Sequence, residues 1–214
     1  MMRRLLFLLV LVPALLLAFG CSSTKAPKRE PIKGKLAVAP FHQPRLEWDL
    51  PEFGDEVQRR NVRDKVLKGL TQILMRELRE RGHTSVRGPD SVQNCREIVL
   101  SRELASPDRA SHYWADVARC ASADSILVPQ LISWREREGG RWGAESPASV
   151  ALRLVWLDAQ EKQVERAFHF QREQASLTEN LWQIGSFIRR GGQWVSAEEL
   201  AAEGIRIGLE DMGL

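Results

Sequence analysis

Ser125-Ile126-Leu127-Val128-Pro129-Gln130-Leu131-Ile132-Ser133-Trp134-Arg135 is apolar on both faces at its start and alternating later. A short run of this kind reads as a strand in the middle of a sheet, buried above and below, so helices must cover both faces. Upstream, Lys35-Leu36-Ala37-Val38-Ala39-Pro40-Phe41 is a second apolar run, and its Pro marks a buried strand leading into a loop. Between the two, Val62, Val66, Leu67, Leu70, Ile73, Leu74 and Leu78 recur at steps of three and four, the spacing of a helix that packs one face inward and stops at Gly82. Residues 83–87 read as a further weak strand. Gly88-Pro89-Asp90 opens a helical region running to about Leu104. Ser106-Pro107-Asp108 opens another, whose Tyr113, Trp114, Val117, Ala118 and Cys120 share an apolar face.

Downstream, Gly139-Gly140-Arg141-Trp142-Gly143 is a turn region. Val150, Leu152, Leu154 and Trp156 then alternate with Ala151, Arg153, Val155 and Leu157. After a tight turn, the last strand places Val164, Phe168 and Phe170 on a dry side and Gln163, Glu165, His169 and Gln171 on a wet one. Ser176 and Thr178 are possible caps for a helix bearing Leu181, Ile184, Phe187 and Ile188, and Ser196-Ala197-Glu198-Glu199 has the form of a capping box for a final helix to about Met212. The order β-α-β-α-α-β-β-β-α-α predicts one three-layer α/β domain over residues 35–214. Its mixed five-stranded sheet has its first strands parallel and its last three in an antiparallel meander, with helices covering it.

The whole chain of 214 residues is 43% apolar and 28% charged, which excludes a disordered, collagenous or multi-span membrane protein. Its 31 Lys and Arg nearly balance 28 Asp and Glu, and Arg3 and Arg4 fall in a segment that is cut away. Nothing clusters cations as nucleic-acid binding requires.

That segment, residues 1–20, has a charged start, an apolar stretch from Leu5 to Leu17 broken by Pro13, and small residues at Ala18 and Gly20. The stretch is too short for an ordinary membrane span and has the form of an export signal. Cys21 follows at once, and Leu17-Ala18-Phe19-Gly20-Cys21 resembles a bacterial lipobox, in which the cysteine is alkylated with diacylglycerol and its new amine acylated. Ordinary cleavage at the same bond is the competing reading. Residues 21–34 then form a polar tether with an extended reach of roughly 40 Å. By the same resemblance, Ser22 in place of Asp points to the outer membrane of a Gram-negative bacterium, with the domain facing the periplasm. Lipid on Cys21 leaves Cys95 and Cys120. In an oxidising compartment they either bridge, closing a loop of about 25 residues, or remain small buried hydrophobes on separate helices.

The lipobox, the strand Leu36-Ala37-Val38-Ala39-Pro40-Phe41, the long helix ending in Arg81-Gly82 and the stretch Ser122-Ala123-Asp124-Ser125-Ile126-Leu127-Val128 together resemble a group of bacterial envelope lipoproteins. The group includes the curli-secretion lipoprotein, the outer-membrane activators of penicillin-binding proteins and related uncharacterised lipoproteins, with a domain also similar to the N-terminal domain of TolB. Pro147-Ala148-Ser149-Val150-Ala151-Leu152, Leu157-Asp158, Phe168 and Leu177-Thr178-Glu179-Asn180-Leu181 resemble the uncharacterised members most. The resemblance implies a membrane-anchored structural or adaptor component that binds another envelope protein. A subunit of a secretion or export channel and a hydrolase with an unfamiliar site are the alternatives. Pore-forming members add long amphipathic hairpins, whereas the turns here are short.

The sequence carries no HExxH, GxSxG or Walker-type motif, so no enzyme activity, cofactor or metal is expected. His42, His83, His112 and His169 read as solvated surface. Trp48 and Trp142 are candidate aromatic anchors for a partner, and Arg189 and Arg190, beside two glycines, are candidate contacts for anionic lipid or peptidoglycan.

Overall fold

The computed structural model describes residues 34–44, 62–102, 110–139, 146–173 and 195–214. The expected leader, Cys21 and most of the tether, the early loop with Trp48, the turn with Trp142, and the helix expected after Ser176 with Arg189 and Arg190 lie outside the described residues. Within them, the chain runs through β1 (Leu36–Val38), α1 (Asp64–Glu80), α2 (Pro89–Arg102), α3 (Ala110–Cys120), β2 (Ser125–Arg135), β3 (Ser149–Asp158), β4 (Gln163–Glu173) and α4 (Ala197–Met212). The strands form one sheet in the order β1-β2-β3-β4. β1 is parallel to β2, and the other two pairings are antiparallel.

The sheet divides the interior in two. On one face Leu36 and Val38 of β1, Leu127 and Leu131 of β2, and Val150, Leu152 and Leu154 of β3 pack with α1 and α4. On the other, Ala37, Ile126, Val128, Val155 and Leu157 pack with Val92 and Cys95 of α2 and with Tyr113, Trp114 and Val117 of α3. The first eight residues of β2 are all buried, as a strand with a helical layer on each side must be.

Four strands form where five were expected. After α1, the turn itself consumes residues 82–84: Gly82 takes φ +89°, its N–H bonds to Arg79, and His83 N–H bonds back to Leu78. This is the Schellman arrangement that closes a helix. Pro89 then starts α2, so only Arg87 is left to pair, through one parallel bridge with Ala37. The second difference is at Val164. Trp156 pairs with Arg166 but Leu157 pairs with Val164, so Glu165 is an extra residue on β4. The resulting bulge turns Val164 toward the α2 and α3 layer, while Phe168 and Phe170 face α4.

Pro129, in the middle of β2, has no N–H to give a neighbour. The ladder toward β1 is broken where that donor would be needed. Ala39 N–H bonds to Leu127, and pairing resumes only when His42 donates to Pro129 and Leu131 donates to His42. At the entry to β1, Gly34 has φ +89° and lies against Asp124. Asp124 Oδ2 accepts from Lys35 N–H at 2.7 Å, and Asp124 N–H donates to the Lys35 carbonyl at 2.8 Å.

α4 begins with the capping box expected at Ser196 and Glu199 and ends on Gly213 with φ 76°. Its Gly204 and Gly208 let the backbone approach the sheet. A Cβ at either position would meet a phenylalanine ring at 2.6 Å, Phe170 at the first and Phe168 at the second. Replacing Gly204→Ala therefore costs about 1–3 kcal/mol by overpacking. Gly69→Ala on α1, where an added Cβ meets nothing within 4 Å, gains up to about 1 kcal/mol from helix propensity. Urea denaturation of the two variants beside the parent should show shifts of opposite sign.

Candidate functional site

α1 is amphipathic. Leu70, Ile73, Leu74 and Leu78 face the core, and its charges face out. α2 is not: only Val92 and Cys95 of its described side chains are buried, and Ile98 and Leu100 are 41% and 49% exposed. The deeply packed helix lies on one face of the sheet and the thinly packed one on the other. Between them opens a groove of about 710 Å³. Its base is formed by buried Phe41 and half-buried Leu67, Thr71 and Met75. Thr71 Oγ1 accepts from Phe41 N–H at 2.9 Å and donates to the Leu67 carbonyl at 2.8 Å, tying the end of the β1 segment to α1. The rims carry exposed Lys68 and Arg79 on α1 and exposed Asp90 and half-buried Arg96 on α2.

Arg96 is held from several directions. Its guanidinium lies over the Trp114 ring at 5.1 Å from the centroid. Nε donates to Tyr113 Oη at 3.4 Å, and Nη1 donates to Gln93 Oε1 at 3.3 Å. None of these partners carries a negative charge. One residue before it, Cys95 is joined to Cys120 at the end of α3, with the two Cα atoms 5.7 Å apart. The bridge thus fastens the α2 wall of the groove to the α3 layer, where α2's own packing is sparse.

A second group of polar residues crosses the face of the sheet that α2 and α3 cover. His42 pairs with Gln130, Gln130 with Arg153, and Arg153 with His169. His42, Gln130 and Arg153 are 9%, 0% and 4% exposed, and each is engaged by other groups of the protein. His42, expected on the surface, is buried because its backbone continues the ladder and its ring packs 5.4 Å from Trp114. His112 and His169 are exposed and His83 is half-buried. Among the described residues, no three His, Cys, Asp or Glu side chains gather as a metal site would require, and no helix is long and apolar enough to cross a membrane.

Of the residues singled out in the sequence, the structure brings together Cys95 and Cys120. Cys21, Trp48, Trp142, Arg189 and Arg190 lie outside the described residues. The groove-lining Lys68, Arg79 and Arg96 were not anticipated, because charged residues on an amphipathic helix have the same sequence pattern whether they face bulk solvent or a neighbouring helix.

No protein-family model matches the chain, and no curated protein does. Solved structures similar to it include the PelC dodecamer from Paraburkholderia phytofirmans, at 15% identity over 82% of this chain and 84% of that one, with a TM-score of 0.44. The LpoB C-terminal domain from Salmonella enterica matches at 10% identity over 66% and 83%, with a TM-score of 0.38. Lipoprotein GNA1162 from Neisseria meningitidis matches at 11% identity over 73% and 96%, also with a TM-score of 0.38. These neighbours accord with the resemblance carried by the sequence. Every one of these TM-scores is below 0.5, so the likenesses assign neither partner nor activity.

Reducing the Cys95–Cys120 bridge should lower stability by about 3.5 kcal/mol, the chain-entropy value for a loop of this length. Urea unfolding with and without dithiothreitol measures this. The double variant Cys95→Ala/Cys120→Ala should match the reduced parent and be insensitive to the reductant.

Proposed function

We propose that the processed chain is a lipid-anchored protein of the outer membrane, facing the periplasm, and that it serves as a structural or adaptor component of the envelope by binding another protein rather than by catalysis. The observation that carries this reading is the position of Cys21, immediately after the small residue that ends an apolar leader and immediately before a polar tether. Diacylglycerol and an N-acyl chain on that residue supply three hydrocarbon tails. At roughly 0.8 kcal/mol per buried methylene they hold the protein on the bilayer without a spanning helix. A tether of roughly 40 Å lets the domain that follows reach a partner away from the membrane surface. The groove between α1 and α2, with its apolar base and charged rims, supports binding as the domain's task.

Mass spectrometry of the N-terminal peptide purified from bacterial envelopes should show Cys21 carrying diacylglycerol. Cys21→Ser should move the protein from the membrane fraction to the soluble periplasmic fraction or leave it unprocessed. A bare thiol on the parent peptide would overturn the anchored reading.

A further inference from the structure

We infer that the groove between α1 and α2 is a docking site for an acidic peptide segment of a partner protein, with an apolar side chain set between carboxylates. This rests on the adaptor reading and names the chemistry of what is bound. The charge arrangement selects the occupant. Asp64 and Asp90 lie in the first turns of α1 and α2, where the helix N-termini offset their charge, and Arg79 lies in the last turn of α1, where the C-terminus offsets its own. Lys68 and Arg96 have no such compensation, and they come from opposite walls of the groove.

Arg96 is the anchor. Trp114, Tyr113 and Gln93 fix its guanidinium, and no carboxylate pairs with it among the described residues. A planar donor already held in place loses little entropy on meeting a carboxylate and presents it with a fork of N–H groups. Half-buried Leu67 and Met75, over buried Phe41, give the same groove an apolar base. A bare anion would leave that surface wet, and a neutral apolar segment would leave Arg96 and Lys68 facing it without counter-charge. An acidic segment with a central apolar residue satisfies both.

The test is selection of a random phage-displayed peptide library on the full processed chain, held in non-ionic detergent with its disulfide intact. Selected peptides should carry Asp or Glu on both sides of a Leu or Phe. The best of them, synthesised with a fluorescent label, should bind about tenfold more weakly to Lys68→Gln and to Arg96→Gln at low salt. Lys65→Gln, which lies one turn before Lys68 and does not line this groove, should leave binding nearly unchanged. Lys68 is exposed, so its variant keeps the test intact if Arg96→Gln unfolds. No enrichment, enrichment of neutral or basic peptides, or affinities indifferent to both substitutions would overturn the proposal. So would a concentration-dependent dimer in sedimentation that Lys68→Gln dissociates, since the groove would then hold a second copy of the chain. If the selection fails while photocrosslinkers at Trp48 or Trp142 capture an envelope protein in cells, the docking site falls and the adaptor reading stands.

Discussion

Burial of β2 on both faces is the constraint from which the rest of the architecture follows. A strand carrying Ile126 and Val128 to one side and Leu127 and Leu131 to the other loses the hydrophobic gain of folding unless both sides are covered. α1 and α4 supply one cover, α2 and α3 the other. The parallel pairing with β1 demands a long crossover, and the three helices between β1 and β2 provide it. Even the proline in the middle of this strand is tolerated only because β1 stops pairing where its missing donor would fall.

The two covers are unequal in quality, and the groove is a product of that inequality. α4 is pressed so closely on the sheet that two of its positions admit no side chain, and α1 buries a continuous stripe. α2 buries little and takes its position from its neighbours, through Cys95 to α3 and through Arg96 to the Trp114 ring. The groove opens between the two covers, where half-buried Leu67 and Met75 lie over buried Phe41.

What could be read in the sequence was what is local or periodic. The stripe of α1, the capping box at Ser196, the apolar face of α3 around Tyr113 and Trp114, and the doubly buried β2 each follow from spacing within one element. The failures arise where elements compete for the same residues. Residues 83–87 have strand character, but helix closure before them and Pro89 after them leave a single bridge. Val164 keeps the alternation of its strand on paper and loses it to one extra residue at Glu165. The groove could not be read at all, because it depends on how far apart two helices stand. The burial of His42 and Arg153 likewise depends on pairing partners distant in the chain.

The reciprocal bonds between Lys35 and Asp124 have a mechanical consequence. Whatever pulls on the chain ahead of Gly34 meets these two bonds before it meets any strand, and behind them stand the three paired residues of β1. Because β1 lies against the best-buried strand of the sheet, a load running along its axis is shared by several bonds at once instead of opening them in succession.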